Sequence, residues 1–223
     1  QRLVCARTGS GATALHLVQL VPQDLPYAKA LASQLLAAGA NPFDTSCTGM
    51  PASMACRSGG GMLTLFLEHL RGAVVPTDVQ QALWHDMACM EDRTSAVLVM
   101  DLLLKHFGPS EADCRDTTGR TPLSRFLETE LVLNLEPNLK LVKRLLKLRA
   151  DPNVRVPLMG SQATFTPVSL AMCCWNLSVV ELLCQYGGDL TVEMPPYKVP
   201  ASVRYAELAN RTPGELTKCQ RDK

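Results

Sequence analysis

The chain has few aromatic residues, almost no net charge and no long apolar run, and each shortage excludes a class of protein. Aromatic residues make up 5% and hydrophobic residues 47% of its 223 residues, so aliphatic side chains must fill most of the core. A net charge of +1 offers no general attraction for nucleic acid or for a membrane surface. No apolar run reaches the roughly 18 residues of a membrane-spanning helix, and no secretory leader is recognisable. Because Gln1 is an unusual first residue, we expect the chain to be part of a longer protein.

Cysteine is present, but without the spacing of a disulfide or zinc framework. The nine cysteines are an odd number, and several occupy apolar positions of predicted helices, such as Cys56, Cys89 and Cys184. A free thiol packs there as a small hydrophobe, which is typical of a reducing compartment. We therefore expect a cytoplasmic or nuclear location.

Residue sets for catalysis or for a cofactor are also lacking. Cys173-Cys174 follows a predicted helix, but a nucleophilic thiol needs a nearby base, and the histidines lie elsewhere, at positions 16, 69, 85 and 106. His85 and Cys89 are four residues apart on a predicted helix, yet no Cys or His pair supplies two more zinc ligands. The sequence predicts no enzyme, no cofactor and no metal site. A cysteine hydrolase hidden in irregular segments, or a catalytic domain outside the chain, is the enzymatic alternative.

What the chain does contain is one phrase that recurs with gaps between its copies. A helix start of Thr-Pro-Leu type leads to an apolar run, then to Leu-Leu, then to an ending of Gly-Ala-Asp-Pro-Asn type. The clear copies run from Asp116 to Asn153, from Phe165 to Leu190 and from Gly11 to Pro42, and weaker ones run from Gly49 to Leu70 and from Thr77 to Gly108. Each such unit buries its apolar face only against its neighbours, so the repetition predicts a solenoid.

These residues resemble the ankyrin repeat family, whose unit is a β-turn followed by two antiparallel helices. The resemblance implies an all-α solenoid of stacked helix-turn-helix units with β-turn fingers. It implies a repeat domain over residues 1–190, with repeats 1 to 5 near residues 8–42, 46–73, 77–108, 116–153 and 161–190. Residues 191–223 then form an enlarged loop and a truncated terminal capping repeat, with a first helix expected at Arg211 to Leu216.

The turns after the second helices carry a local prediction of their own. Gly39 and Gly187 follow their Leu-Leu helices where a left-handed residue is favoured. Arg149 holds the same place in repeat 4, where we expect about 1 kcal/mol of backbone strain. Inserted residues lengthen the connection between the two helices in repeats 1 and 4, and in repeat 4 they either extend the first helix or form an apolar loop. By the resemblance, His16 hydrogen-bonds a neighbouring turn.

The second helix of repeat 4 has a basic face. Its residues are Lys140, Lys143, Arg144 and Lys147, extended by Arg149. Such a stripe could bind an acidic partner or lipid headgroups, but we favour the solvated outside of a helix.

The resemblance implies a non-catalytic module that binds a partner protein through a preformed groove of turn tips and first helices. The positions that it presents to a partner are Thr117, Thr118, Arg120 and Glu128 in repeat 4, and Gln162, Phe165, Cys173, Cys174 and Trp175 in repeat 5. Phe165 and Trp175 are expected as aromatic anchors, unless they fill the seam between repeats, and Arg120 as the charged contact.

Two further alternatives concern what the module belongs to. In the first, the module is the recognition arm of a ubiquitin-ligase component or of a pathogen effector, and an adaptor-binding segment is then expected beyond Lys223. In the second, the open end of the stack, which contains Leu3, Val4 and Cys5, binds another copy of the chain.

Overall fold

The structure is a computed structural model, and it describes residues 6–20, 26–57, 60–70, 74–133, 138–157, 163–194 and 199–209. The chain forms two compact parts, an N-terminal part over residues 1–111 and a C-terminal part over residues 112–223. Each part consists of helix pairs stacked side by side, so the predicted all-α repeat architecture is confirmed.

The N-terminal part contains three helix pairs. Their helices are α1 (Ala14–Val18), α2 (Pro26–Ala37), α3 (Pro51–Arg57), α4 (Gly61–His69), α5 (Thr77–Ala88) and α6 (Arg93–Phe107). The first helices α1, α3 and α5 pack next to one another, and the second helices α2, α4 and α6 form a layer behind them. This arrangement places the first helices, and the turns that precede them, on one side of the part.

The C-terminal part repeats the pattern and adds two short hairpins. Its elements are α7 (Pro122–Leu133), α8 (Leu139–Lys147), β1 (Val156–Pro157), β2 (Thr164–Phe165), α9 (Pro167–Cys173), α10 (Leu177–Gln185), β3 (Glu193–Met194), β4 (Val199–Pro200) and α11 (Ala201–Ala209). Strands β1 and β2 are antiparallel, with Val156 opposite Phe165, and β3 pairs with β4 in the same sense. The first helices α7, α9 and α11 lie side by side, and α8 packs against α10 behind them.

The helices begin where the Thr-Pro phrase predicts, because Thr and the third residue after it bond each other reciprocally. In repeat 5 the Thr166 hydroxyl accepts from the Ser169 N–H at 3.2 Å, and the Ser169 hydroxyl accepts from the Thr166 N–H at 2.8 Å. Thr121 and Ser124 make the same pair of bonds in repeat 4. Two N–H groups that the helix would leave unpaired are thereby satisfied at each start.

The second helices of repeats 1, 4 and 5 end in one shared turn. Gly39, Arg149 and Gly187 have φ values of 94°, 69° and 89°, in the left-handed region. In each turn the next residue donates its N–H back to a carbonyl in the last helical turn, as Ala150 does to Leu145 at 3.1 Å. The predicted left-handed conformation of Arg149 is therefore confirmed, and the strain that a side chain causes there stays a prediction.

Polar side chains tie one repeat to the next within each part. His16 Nδ1 accepts from the Thr13 N–H at 3.0 Å, so its Nε2 carries the proton and donates to the carbonyl oxygen of Gly49 at 2.9 Å. In the C-terminal part, Asn153 donates its side-chain N–H to Gly187 and accepts from the N–H of Asp189, both at 2.8 Å. The prediction that His16 bonds a neighbouring turn is confirmed.

Aliphatic residues dominate the interior, as the shortage of aromatics requires. Large side chains that are almost fully buried include Leu15, Leu63, Phe66, Leu83, Trp84, Met100 and Leu103 in the N-terminal part, and Leu123, Phe126 and Leu127 in the C-terminal part. Burial of one such Leu or Phe contributes about 1.5–3 kcal/mol, so the stack depends on the contacts between adjacent repeats.

The structure resolves the alternative in repeat 4 and changes the account of the last repeat. Helix α7 has twelve residues, whereas α9 has seven, so the inserted residues up to Leu133 extend the first helix. The sixth first helix is α11, which starts at Ala201 and packs on α9 and α10. The expected helix at Arg211 to Leu216 lies outside the described residues, as do Leu3, Val4 and Cys5.

Candidate protein-binding surface

The finger that precedes α7 is held by one carboxylate. Asp116 Oδ1 accepts from the N–H of Thr118 at 2.8 Å, from the Thr118 hydroxyl at 2.5 Å and from the N–H of Arg120 at 3.0 Å. Gly119, at the left-handed φ of 80°, closes the turn. These bonds hold Thr117 and Thr118 at an exposed tip, as a presented position requires.

Arg120 links this finger to two other elements. Its Nε lies 3.0 Å from Oε2 of Glu128 on α7 and donates to the carbonyl oxygen of Pro157 on β1 at 3.2 Å. Its Nη1 donates to the Thr118 hydroxyl at 3.0 Å. The side chain of Arg120 therefore fastens the finger and the first helix of repeat 4 to the hairpin of repeat 5.

The expectation that Arg120 offers an accessible charge is wrong. The exposed fractions of the Arg120 and Glu128 side chains are 5% and 8%. A guanidinium that is buried and bonded in three directions is not accessible to a partner, and Glu128 is the carboxylate that neutralises it. Both residues shape the surface from beneath it.

The ring of Phe165 also belongs to the interior. Phe165 lies on β2 opposite Val156 and is 7% exposed, while Val156 is 2% exposed. The alternative interpretation of this residue, that it packs within the stack, is the one that agrees with the structure. Gln162 lies outside the described residues.

The turn between α9 and α10 presents three of the predicted residues. Cys173, Cys174 and Trp175 are all partly exposed, and the Cys174 thiol lies 3.9 Å from the carbonyl oxygen of Leu127 on α7. Trp175 has a φ of 58°, which is left-handed for a residue that is not glycine. The N–H of Trp175 donates to Met172 at 3.1 Å and that of Asn176 to Ala171 at 3.3 Å, so two hydrogen bonds hold the turn.

The predicted residues thus fall into two patches of the C-terminal part. The finger patch consists of Thr117 and Thr118, above the buried Arg120 and Glu128 pair. The turn patch consists of Cys173, Cys174 and Trp175, at the far end of α9. Helix α9 has seven residues, so its two ends are about 10 Å apart.

Two of the described cysteines, Cys56 and Cys184, have thiols of low reactivity. Burial, with Asp86 nearby, raises the pKa of the Cys56 thiol far above its usual value of 9.0. Burial and the charge of Glu181 also raise the pKa of Cys184. A raised pKa leaves little thiolate at neutral pH, and thiolate is the reactive form.

Among the residues that the structure describes, the His85 and Cys89 pair gains no further metal ligands. His85 is 7% exposed on α5, and Cys89 is the residue that ends this helix. Across the described ranges, no group of three or more His, Cys, Asp or Glu side chains is arranged to hold a metal ion. Among the described helices, none has the length and apolar character needed to cross a bilayer.

Comparison with known proteins gives one kind of match. No family model and no curated protein sequence matches the chain. Among solved structures, the crystal structure of the human ASB11 ankyrin repeat domain is similar to it with a TM-score of 0.63 and 20% sequence identity. The similarity covers 94% of this chain and 88% of that one. The chain has the ankyrin-repeat fold.

This fold serves in general as a scaffold for protein interaction rather than for catalysis. The two patches lie on its first helices and fingers. Exposed side chains on these elements can change without disturbing the packing between repeats. Asp116 and Asn153 also hold this surface in place, although neither is among the residues that the resemblance presents to a partner. Two sequence patterns indicate these residues: the Asp-x-x-Gly turn contains Asp116, and the Asp-Pro-Asn ending contains Asn153. The Asp116 side chain bonds backbone within its own turn, and the Asn153 side chain bonds backbone in the next repeat.

Proposed function

We propose that the chain binds a partner protein, without catalysis, through the first-helix side of its C-terminal part. The observation that carries this proposal is the partly exposed Trp175, which two backbone hydrogen bonds hold in a left-handed conformation at the end of α9. Such a backbone costs about 1–2 kcal/mol for a residue with a side chain. Strained residues that persist in a fold cluster at sites of function.

Strain alone does not mark the site, because Arg149 has the same backbone conformation. What distinguishes Trp175 is a large, rigid aromatic ring beside two partly exposed thiols, at the end of the first-helix layer. Aromatic side chains of this kind dominate the binding energy of protein interfaces, since they bury much apolar area at little entropic cost. Thr117 and Thr118, at the tip of the finger before α7, would supply polar contacts at the edge of the interface.

The test is affinity capture from a reducing cell extract with matched variants. Trp175→Gly removes the ring and also relieves the backbone, so that a loss of binding reports the side chain and not the turn. Arg149→Gly makes the same change at the equivalent backbone position of another turn and serves as the control. We expect partner recovery to fall at least tenfold for Trp175→Gly, as for an anchor worth about 1.4 kcal/mol or more, and to be unchanged for Arg149→Gly.

The finger patch has its own variant. Thr117→Arg places a bulky charge at the exposed tip without touching Thr118, whose hydroxyl bonds Asp116 and Arg120. Thr94→Arg, at an exposed position of α6, is the control. Equal recovery with wild type, Trp175→Gly and Thr117→Arg would exclude this surface.

We also propose a cytoplasmic or nuclear location, which the buried free thiol of Cys56 supports. A second proposal is that the module is the recognition arm of a ubiquitin-ligase component or a pathogen effector. It is supported only by the suitability of a preformed surface for target recognition. Co-precipitation of ligase adaptor proteins with the full-length protein would support it, and their absence from the precipitate would exclude it.

A further inference from the structure

Behind the first helices, α8 and α10 lie side by side and leave an open groove of about 360 Å³. Leu139 and Leu182 give it an apolar lining, and the exposed fraction of Leu139 is 42%. Polar side chains surround this lining: Lys140, Lys143, Ser178 and Glu181. The groove belongs to the second-helix layer, so it is separate from the finger and turn patches.

Positive charge is concentrated on one wall of the groove. Residues 138–150 contain five Lys and Arg residues and no Asp or Glu, although the whole chain has a net charge of only +1. Lys143 and Lys147 lie one helical turn apart on α8, and like charges at that spacing destabilise a helix. Within the described part of the chain, neither they nor Lys140 makes an ion pair.

The opposite wall offsets only part of this charge. Its carboxylate, Glu181, accepts a hydrogen bond from the hydroxyl of Tyr205 on α11 at 3.2 Å. Glu181 is thus engaged with the helix on the far side of α10. The charged lining therefore carries two lysines against one glutamate, and Lys147 adds to the positive side along the same face of α8.

We propose that this groove binds an acidic peptide segment of a partner protein, with one apolar side chain of the segment between α8 and α10. A site of about 360 Å³ is near the lower end of the range for ligand pockets, roughly 300–1,000 Å³, and it suits a single large side chain rather than an extended molecule. Carboxylates on either side of that side chain complement Lys140 and Lys143. Charge complementarity of this kind speeds association and selects the partner.

The probe is a fluorescein-labelled peptide in which glutamates flank one central leucine, titrated with the chain and followed by fluorescence anisotropy. We expect saturable binding that weakens as salt is raised, because exposed charges are screened. The double variant Lys140→Glu/Lys143→Glu should weaken binding at least about tenfold. Ser178→Trp, which fills the groove without changing its charge, should do the same, whereas Lys105→Glu on α6 should bind as wild type does.

Further comparisons test the apolar side chain, the location of the site and the kind of ligand. A peptide with serine in place of the central leucine should bind more weakly than the original peptide. Trp175→Gly should bind the original peptide as wild type does, which would show that the groove and the turn patch are separate sites. Absence of saturable binding, or equal binding by Lys140→Glu/Lys143→Glu, would overturn the proposal. Binding confined to phosphatidylserine vesicles, with none to the peptide, would also overturn it and assign the lysines to a lipid surface.

Discussion

The Nε of Arg120 lies 3.0 Å from Oε2 of Glu128, and more than nine-tenths of each side chain is buried. Removing one partner leaves the other as an uncompensated charge in the interior, at a cost of about 3 kcal/mol. We therefore expect Glu128→Gln to lower the free energy of unfolding by about that amount, measured by urea denaturation. Glu68→Gln, at an exposed position of α4, should change it by less than about 0.5 kcal/mol. Equal midpoints for the two variants would show that the pair does not stabilise the fold.

The left-handed backbone of Arg149 predicts a stabilising substitution. Arg149→Gly removes the steric strain of a side chain at a φ of 69°. Glycine also raises the conformational entropy of the unfolded chain, which offsets part of this stabilisation. We expect a net gain of about 0.5–1 kcal/mol, seen as a higher urea midpoint with an unchanged slope. Lys143→Gly, at an exposed position in the interior of α8, should instead cost about 1 kcal/mol. A loss of stability in Arg149→Gly would contradict the strain assigned to this turn.

The position of His16 between two turns predicts its tautomer. Because the N–H of Thr13 donates to Nδ1 at 3.0 Å, the proton of the neutral ring must be on Nε2, which donates to Gly49 at 2.9 Å. Nitrogen-15 NMR of the imidazole should show the Nε2-protonated form. His16→Ala leaves the buried N–H of Thr13 without its acceptor and should cost about 2 kcal/mol, although the carbonyl oxygen of Gly49 keeps the hydrogen bonds that Ser46 donates to it. His69→Ala on the exposed end of α4 should cost little. An Nδ1-protonated ring would refute the assignment.

Burial of Cys56 predicts a dependence of stability on alkaline pH. Its pKa is raised in the folded state from the usual 9.0, so above pH 9.0 the unfolded chain loses this proton while the folded chain keeps it. The contribution to stability is complete below pH 9.0 and then falls by up to about 1.4 kcal/mol per pH unit. Urea unfolding of wild type and Cys56→Ala across this range should diverge by that slope. Parallel curves would mean that the thiol is not desolvated.

The sequence predicts best those features that depend on residues within a few positions of one another. Thr166 before Pro167 starts a helix because both groups act on adjacent backbone atoms, and Gly187 ends one for the same reason. The left-handed conformation of Arg149 was predictable on the same local grounds. The recurring phrase therefore places the helix pairs of repeats 1, 4 and 5, whereas repeat 3 lacks the Thr-Pro start and its first helix follows Pro76 instead.

What sequence does not predict depends on side chains that meet across repeats. Arg120 is buried because Pro157 and Glu128 converge on it, and neither is adjacent to it in sequence. Helix α11 begins after Val199-Pro200, where Val replaces the Thr of the phrase, and its first N–H groups bond Val192 and Leu190 instead. The groove behind α8 likewise exists only because α10 packs next to it.

The most direct test of the proposed function is hydrogen–deuterium exchange of the chain with and without the partner recovered by affinity capture. We expect partner binding to slow amide exchange at two places in the C-terminal part, the finger at Thr117 and Thr118 and the turn from Cys173 to Asn176. Both are held by local turn hydrogen bonds in the free chain, so added protection there would report contact with the partner. Protection confined to other elements, with no change at either patch, would contradict the proposal.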